Sequence, residues 1–426
     1  MRKKTIIILL MLITLMSCFN DMNDLIYEFS DFKEPICVII GAATNGTGRG
    51  WANARNDLQA TITGASAGDE IWVAGDIDFG TGTAPALVIS RSVSLYGGFR
   101  GDETKREDAR GRSLITGSIT GNMLTISGDI VSINGFTFTN TVGNSLYINT
   151  NSKVNLRNCE FLSNISGDFG GAINCFSNSI LNVDNCIFKE NTSTSDGGAI
   201  YCNSGTRLNI FNSIFQGNTG SSGGAIYSLS STVNISDNCV FDSNSAGSRC
   251  GAILSVNSII NISNNCKFTG NHGLVGGAIL SEKNPLDDPL KSILNISDNC
   301  EFSNNYSTLG GAVSVSYGIA KISENCVFNG NYAHSGAANG GAISFSLCDE
   351  VIITDCVFIN NYLDKYAIGR NGGAILLESN DFVYVKSCQF INNSATGNGG
   401  AIYKNNVTFL TLENNYFQGN TPDDVY

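Results

Sequence analysis

Acidic residues and histidines are the side chains that could carry acid–base chemistry in this chain, and in the repeats they are scattered rather than clustered. The 426-residue sequence has two histidines, His272 and His334. The acids of the repeats described below mostly stand alone, among them Asp184, Asp237, Glu324 and Asp355. A lyase or hydrolase of acidic polysaccharides needs clustered carboxylates, for calcium or for general acid and base, beside a basic residue. The scattering favours a non-catalytic protein without cofactor or metal. A lyase or hydrolase of acidic polysaccharides is the alternative.

One acidic pair differs from this pattern. Asp287 and Asp288 are adjacent and lie between Pro285 and Pro289, in an insertion between two repeats. Proline interrupts strand pairing, so the segment is interpreted as a solvated loop. A calcium site or a catalytic role for the pair is the alternative.

Eight cysteines share one position, two residues before a phenylalanine. They are Cys159, Cys186, Cys239, Cys266, Cys300, Cys326, Cys356 and Cys388, and Ser213 replaces the cysteine once. Residues two apart in a strand point to the same face, so these side chains are expected to point inward with the phenylalanines. We expect free buried thiols, because parallel Cβ vectors fit disulfide geometry poorly. Disulfides, or a metal held by converging ligands, are the alternatives.

The cysteines belong to a motif that recurs from Gly170 to Ile402. Each unit contains Gly-Gly-Ala-Ile, an apolar pair near Asn-Ile, Cys-x-Phe, and an asparagine three residues after the phenylalanine. The phenylalanines are Phe161, Phe188, Phe215, Phe241, Phe268, Phe302, Phe328, Phe358, Phe390 and Phe417. The asparagines are Asn164, Asn191, Asn218, Asn244, Asn271, Asn305, Asn331, Asn361, Asn393 and Asn420. Most steps are 26 or 27 residues, and a fixed period of this size indicates stacked units.

Each unit has the pattern of a few short strands. Apolar and polar residues alternate in Leu208-Asn209-Ile210, and glycine and asparagine at the corners tolerate left-handed backbone. Three strands and three corners predict one coil of a parallel β-helix, an all-β solenoid of roughly thirteen coils. Stacking at about 4.8 Å per coil would align the phenylalanines as a core column and the asparagines as a hydrogen-bonded ladder.

The first residues have the pattern of an export signal. Arg2-Lys3-Lys4 precedes an apolar run, which ends at a sequence, Leu15 to Cys18, that resembles a bacterial lipobox. Residues 1–17 are therefore predicted to be a signal peptide of the lipoprotein type, with lipidation of Cys18 and an acidic tether over residues 18–36. Plain secretion and an uncleaved anchor are the alternatives.

Residues 37–66 are predicted to form an N-terminal cap. A helix that Asn53 could N-cap would carry Leu58 and Ile62 on one face and stop at Gly64. The open end of a β-helix exposes unpaired backbone, so a cap has a physical purpose there.

The rest of the chain is expected to be one elongated domain. Irregular coils are predicted over residues 67–157, regular repeats over 158–420 and a tail over 421–426. The tail contains Pro422 and paired acids, which discourage edge pairing, so a monomer is expected.

The repeats resemble those of a known family. Gly-Gly-Ala-Ile and Phe-x-x-Asn are similar to the repeats of the chlamydial polymorphic outer-membrane proteins, within the wider right-handed parallel β-helix, pectin-lyase-like class. The segments that begin at Gly48 and Ser92 are similar to the amino-terminal parts of many bacterial surface β-helix proteins. The resemblance covers about residues 40–420. It implies a protein of the bacterial cell surface or outer membrane, with adhesion as the usual role of the chlamydial members.

The resemblance also bears on partners. An adhesin would bind a host-cell receptor, a glycan or an extracellular protein. The family's carboxy-terminal transporter barrel is not expected, since the sequence stops at Tyr426, so the lipid anchor would be the only membrane contact. The net charge of −12 disfavours nucleic acid.

Two enlarged corners suggest where a ligand could bind. The glycine pair normally begins five or six positions after the asparagine, but nine after Asn331 and eleven after Asn361. Successive coils lie side by side, so both enlargements would share one edge of the rod. The candidate binding patch is Tyr332, His334, Tyr362, Asp364, Lys365, Tyr366 and Arg370. Tyrosine and arginine are favoured contact residues, and tolerated surface variation is the alternative.

A second candidate surface is the position directly after each Gly-Gly-Ala-Ile. Its members are Tyr201, Tyr227, Leu254, Leu280, Leu376 and Tyr403. If the isoleucine points inward, these residues point outward and form an apolar and aromatic stripe. Cover by the neighbouring corners is the alternative.

Overall fold

The computed structural model describes residues 33–82, 86–284, 292–334, 339–367 and 369–426. The expected signal peptide, Cys18 and most of the expected tether lie outside the described residues, and so do Asp287 and Asp288. Among the helices that are described, none is long and apolar enough to cross a membrane.

Three long parallel sheets wind around one core. The chain adds strands to the sheets in turn, and the sheets, here named A, B and C, contain 14, 13 and 12 strands. Within each sheet a strand pairs in parallel with the strands one coil before and one coil after. Connections between parallel strands of one sheet are right-handed. The chain is therefore a right-handed parallel β-helix, and the prediction of an all-β solenoid of roughly thirteen coils is confirmed.

The strands are short and evenly spaced along the chain. Sheet A comprises Ile36–Ile39, Glu70–Ala74, Ser94–Phe99, Ile130–Asn134, Lys153–Arg157, Ile180–Asp184, Arg207–Phe211, Thr232–Ser236, Ile259–Ile262, Ser292–Ile296, Gly318–Ile322, Glu350–Thr354, Phe382–Lys386 and Phe409–Glu413. Sheet B comprises Ile77–Gly82, Ser113–Ile119, Phe136–Thr139, Glu160–Leu162, Ile187–Lys189, Ile214–Gln216, Val240–Asp242, Lys267–Thr269, Glu301–Ser303, Val327–Asn329, Val357–Ile359, Gln389–Ile391 and Tyr416–Gln418. Sheet C comprises Leu87–Ile89, Leu124–Ile126, Leu146–Ile148, Ile173–Cys175, Ile200–Cys202, Ile226–Leu229, Ile253–Val256, Ile279–Glu282, Val313–Ser316, Ile343–Ser346, Ile375–Glu378 and Ile402–Asn405.

Two short sheets lie at the corner between sheets B and C. The first contains Ile165–Ser166, Thr192–Ser193, Thr219–Gly220 and Ser245–Ala246. The second contains Tyr306–Ser307, Tyr332–Ala333 and Tyr362–Leu363. This corner therefore stacks in register like the long sheets, and its outward residues form a straight line along the rod.

Inward side chains form one continuous core. Strands of sheet A alternate buried and exposed residues, as Lys153–Arg157 does, which is the period expected of a strand with one buried face. The buried apolar set extends from Val38 to Ile402. Each coil thereby covers an apolar face that its neighbour could not bury alone.

The phenylalanines of the repeat stack along sheet B. Consecutive rings from Phe138 to Phe417 have centroids 4.6–5.1 Å apart and planes within 11° of parallel. Completely buried members of this column include Phe161, Phe188, Phe215 and Phe241. The ring separation is about one strand spacing, so register and stacking reinforce each other.

The asparagines that follow the phenylalanines form a buried ladder inside the adjacent corner. The backbone N–H and the side-chain amide of Asn191 both donate to Oδ1 of Asn218, at 3.0 and 2.9 Å. The amide also donates to the carbonyl of Phe161, one coil earlier, at 2.9 Å. The same contacts link Asn164, Asn191, Asn218, Asn244, Asn271, Asn305, Asn331, Asn361, Asn393 and Asn420.

Both ends of the ladder have partners. Thr141 donates its backbone N–H and its hydroxyl to Oδ1 of Asn164. At the other end, the amide of Asn420 donates to the carboxylate of Asp424 at 2.9 Å. A buried amide without partners would be costly, so these terminal contacts complete the ladder.

The glycine pair forms the corner before sheet C. Gly197 has a φ of +71°, a left-handed conformation that costs little for glycine. A Cβ atom on Gly198 would lie 2.0 Å from the carbonyl oxygen of Gly224 in the next coil. Cys250 takes the first position once, and there its Sγ lies 3.1 Å from the carbonyl oxygen of Ile253. The second glycine is therefore required by the close approach of successive coils.

A short helix packs against the N-terminal end of the core. It spans Leu58–Gly64, and Leu58 and Ile62 are buried with Val38 of the first strand. The helix thus covers apolar residues at the end of the core, where the described part of the chain has no earlier coil.

The helix begins differently from the sequence-based prediction. Its N-cap is Asp57, whose carboxylate accepts from the backbone N–H of Ala60 at 2.8 Å. The prediction that Asn53 caps the helix is wrong. Asn53 ends a separate 3-10 turn, Trp51–Asn53, and the next residue, Ala54, is extended, so the helix cannot begin there.

The last residues add a partial coil to sheet C. Val425 pairs with Ile402, and Tyr426 stacks on Tyr403 with centroids 5.5 Å apart. The carboxylate of Asp423 accepts from the amides of the last glycine pair. The final strands of sheets A and B have no further strand beside them in the described part of the chain.

The buried asparagine ladder should contribute more to the free energy of unfolding than the asparagine ladder on the outer face of sheet A. Asn218→Ala removes one hydrogen-bond partner each from the amide of Asn191, the backbone N–H of Asn191 and the carbonyl of Phe188, so we expect a loss of roughly 3 kcal/mol. Asn209 belongs to a half-buried ladder on the outer face of sheet A, where water can replace its bonds to Asn182 and Asn234. Asn209→Ala should cost about 1 kcal/mol or less.

Urea unfolding followed by circular dichroism measures both variants. Equal shifts of the unfolding midpoint would contradict the special role of the buried ladder.

Candidate binding surface

Aromatic residues occupy the same corner position in four successive coils. His272, Tyr306, Tyr332 and Tyr362 each follow a ladder asparagine, and the latter three begin the strands of the second corner sheet. Their rings stack with centroids 4.9–5.1 Å apart and planes within 8° of parallel. We name these four residues the aromatic edge. In other coils the position holds a smaller or aliphatic residue, such as Thr192.

The residues that follow Tyr332 and Tyr362 in their strands are apolar and buried. Ala333, Leu363 and Ala367 form a small cluster separate from the main core, and Ala395 packs against it. The enlarged corner after Asn361 is therefore packed at its base rather than projecting as an isolated loop.

The structure brings four of the seven predicted patch residues together. Tyr332 and Tyr362 stack on each other, and the ring of His334 meets Tyr332 edge-on at 6.3 Å. Burial, and then the charge of Asp364, raises the pKa of Tyr362, which places that carboxylate near the ring. Both tyrosine hydroxyls thus stay protonated near neutral pH and can donate hydrogen bonds.

The other three patch residues lie further along the same corner. Lys365 places its amine 5.0 Å from the ring centre of Tyr366, and Tyr366 is 66% exposed. Arg370 is bonded to the next coil, where Thr396 Oγ1 accepts a hydrogen bond from its backbone N–H at 3.2 Å. No contact among the described residues joins Arg370 to the aromatic edge.

Two polar atoms in the enlarged corners have no partner. Five buried side-chain nitrogen or oxygen atoms in the described residues lack a hydrogen bond, and two of them are Nδ1 of His334 and Nε of Arg370. Most buried polar atoms in native proteins are paired, so such exceptions ask for an explanation. A ligand that supplies hydrogen-bond partners is one.

Sequence reasoning missed two members of the aromatic edge. His272 was considered only for acid–base chemistry, and Tyr306 lies in a corner of normal length. Burial lowers the pKa of His272, and its Nε2 lies 2.9 Å from Ser245 Oγ. Their position directly after a ladder asparagine was the signal that could have found them.

The column after Gly-Gly-Ala-Ile lies largely beneath the corners. Tyr201, Leu254, Leu280 and Leu376 are buried. Tyr201 packs against Phe169 of the preceding corner, with centroids 4.5 Å apart. Leu254 and Leu280 form a cluster with Cys250 and Tyr227. The column is thus not a continuous exposed stripe.

Partly buried acids and an arginine surround Tyr227 on the outer face of sheet C. Arg249 forms an ion pair with Glu282, and burial raises the pKa of Glu282 although Arg249 opposes the shift. Burial also raises the pKa of Asp196, against the effects of Ser222 and Arg249. Both carboxyl groups can therefore take up a proton more easily than exposed acids do.

The single acids of the repeats mostly stay apart, and Glu324 with Asp298 is an exception. Asp184 lies 3.5 Å from Arg157, and Asp237 accepts from Asn264 at 2.9 Å. Glu324 lies beside Asp298, which raises the pKa of Glu324. In the part of the chain that the structure describes, no group of three or more histidines, cysteines, aspartates or glutamates could hold a metal.

The column cysteines point into the core. All thirteen cysteines of the described residues are buried, and none of them is joined to another by a disulfide bond. Column thiols donate to nearby backbone carbonyls, as Cys239 does to Ser236 and Cys266 to Ser263, both at 3.0 Å. Outside the column, burial raises the pKa of Cys175 to about 12.

Comparisons with known proteins identify the repeat. The model of the Chlamydia polymorphic membrane protein repeat matches residues 185–203, 212–229 and 387–405. The chain carries polymorphic membrane protein repeats. These repeats indicate a surface or outer-membrane protein. A comparison with curated protein sequences gave no match.

A comparison with solved structures gave a partial similarity. The Azotobacter vinelandii mannuronan C-5 epimerase AlgE6 A-module is similar at 12% identity, with a TM-score of 0.44. The similarity covers 85% of this chain and 89% of that chain. A likeness at this level carries no inference about activity.

Thiol reactivity tests the state of the cysteines. A Cys18→Ser variant should react with Ellman's reagent at almost none of its thirteen described cysteines while folded, because their burial blocks access of the reagent. All thirteen should react once the protein is unfolded in guanidinium chloride without a reductant. Fewer reactive thiols after unfolding would reveal disulfides and contradict the expectation of free thiols.

Proposed function

We propose that this chain is a non-catalytic binding protein of the bacterial cell surface, an adhesin whose aromatic edge and enlarged corners contact the ligand. The observation that carries the proposal is the coincidence of three features at one corner of the rod. A stacked aromatic column, the two largest regular-repeat corners and two unpartnered polar atoms occur together there.

The physical properties of the aromatic edge suit recognition. Its residues are held by backbone pairing in register, as Tyr306↔Tyr332 and Tyr332↔Tyr362 show, so little side-chain freedom is lost on binding. Tyrosine combines a large apolar ring with a hydroxyl that donates and accepts, which makes it a frequent contact residue. A rigid scaffold that presents polar and aromatic groups at its corners is a common arrangement for binding proteins.

The proposed location follows from the repeats and from the first residues. Polymorphic membrane protein repeats support a surface or outer-membrane location. The proposed means of attachment is a lipid on Cys18, with the rod held away from the membrane by the acidic tether. The proposed partners are a host-cell receptor, a glycan or another extracellular protein, and the proposed state is a monomer.

One observation favours a second candidate function, a lyase or hydrolase of acidic polysaccharides. Asp196 and Glu282 have raised pKa values, and Arg249 could hold a substrate carboxylate. The arrangement falls short of that chemistry in one respect, because Arg249 is already paired with Glu282.

Binding to cultured epithelial cells tests the adhesin. Removal of residues 335–337 and 364–368 returns both enlarged corners to a spacing of six and should weaken binding of the purified protein by about tenfold or more, a loss of about 1.4 kcal/mol. A second variant, Tyr332→Thr with Tyr362→Thr, should have a similar effect. It places at both positions the residue already found at Thr192 and Thr219.

The matched control is Phe409→Thr, which removes a more exposed aromatic ring from sheet A. Undiminished binding by both corner variants, with unchanged circular dichroism, would exclude the aromatic edge as the contact surface.

Assays on polygalacturonate test the second candidate. We expect no cleavage with or without calcium, because the carboxylates of the described residues are too dispersed to bind the metal and share the acid and base roles. Formation of unsaturated or reducing products that disappears in an Asp196→Asn variant would show that the non-catalytic proposal is wrong.

A further inference from the structure

The last ring of the aromatic edge has one uncovered face. Each inner ring of the column lies between two others, but the residue that pairs with Tyr362 in the following coil is Ser394. A serine side chain is too small to cover a phenol ring. Tyr362 is accordingly 39% exposed, and beyond Ser394 the column continues only with Thr421.

The opposite end of the column also meets a serine, but there a hydrogen bond joins the ring to it. His272 lies against Ser245, and a 2.9 Å contact joins the imidazole Nε2 to the serine Oγ. The two ends of the aromatic edge are therefore chemically different. Only the Tyr362 end combines an open aromatic face with an enlarged corner beside it.

The corner that follows the open ring in the chain carries polar groups. Burial, and then the charge of Asp364, raises the pKa of Tyr362, and one oxygen of the Asp364 carboxylate accepts the backbone N–H of Tyr366 at 2.9 Å. The other oxygen carries no protein contact among the described residues. Arg370 of the same corner has the Nε donor that lacks a partner.

A flat apolar face bordered by hydrogen-bonding groups fits a sugar ring. A pyranose has one face made largely of C–H groups, and its hydroxyls radiate around the rim as donors and acceptors. The centres of protein–protein interfaces, by contrast, are depleted of charged residues. Here Asp364, Lys365 and Arg370 all belong to the corner next to the ring, which favours a polar ligand over an apolar protein side chain.

We propose that the open face of Tyr362 is a subsite for one pyranose ring of a glycan. The sugar stacks on the phenol ring, Asp364 accepts hydrogen bonds from its hydroxyls, and the corner of Arg370 supplies donors. This inference rests on the proposed function, since it names the class of ligand for the same surface.

A printed array of mammalian glycans is the probe, followed by calorimetric titration of the glycan that binds most strongly. Tyr362→Ser reproduces the residue that the next coil already has and should weaken binding by about tenfold or more. Tyr362→Phe keeps the ring and removes only the hydroxyl, so it should retain affinity within about threefold. Phe409→Thr should leave binding unchanged, because that ring lies on sheet A.

The outcomes separate this inference from the adhesin proposal. If cells bind the protein equally well after enzymatic removal of their glycans, and no arrayed glycan binds, the partner is a protein and the sugar subsite is refuted while the adhesin stands. If a glycan binds through Tyr362 but cells do not, the subsite is supported and the adhesin is refuted. Equal losses for Tyr362→Ser and Tyr362→Phe would show that the hydroxyl, and not the ring face, makes the contact, which also refutes the stacking.

Discussion

The fold depends on one constraint, the exact superposition of each coil on the next. The side-chain amide of a ladder asparagine can be satisfied only if the next coil presents an asparagine oxygen about one strand spacing away. A shift of one residue would turn the phenylalanines outward and leave buried amides unpaired. The second glycine of each pair enforces the same spacing from the corner, because a Cβ there would collide with the next backbone. Register is thus specified on more than one side of each coil.

This constraint separates the residues that build the rod from those that could recognise a ligand. The stacked phenylalanines of the repeat, the cysteines and the ladder asparagines are buried, and their side chains interact inside the rod. Outward positions are free to vary, and superposition arranges whatever occupies them into lines along the rod. The aromatic edge is such a line, so its regular ring spacing follows from the backbone. Function on this fold is therefore a property of outward columns and of corners that depart from the usual length.

Much of the architecture was predictable, since a repeat states the same local pattern many times. The fixed spacing of Gly-Gly, Cys-x-Phe and asparagine defined the coil, and alternation in segments such as Leu208-Asn209-Ile210 indicated which residues face inward. The start of the helix in the N-terminal cap was harder to predict, because a segment that occurs once in the chain offers only local signals. Asn53 and Asp57 are both acceptable N-cap residues, and the extended backbone at Ala54 decided for Asp57. The enlarged corners pointed to part of the candidate surface, but Tyr306 lies in a corner of normal length and gave no such signal.

The sequence alone determined the period, the inward columns and hence the β-helix, because those features depend on residue types that recur at fixed separations. The tertiary structure decided which outward residues are exposed. Tyr201 and Leu254 follow the same motif position as Tyr403, yet corners from neighbouring coils bury the first two. Likewise Tyr362 has an open face only because Ser394 happens to follow it in the stack. The exposure of an outward side chain depends on how much of it the residues one coil away cover. The spacing of residues in the sequence does not show how large those neighbours are or where they point.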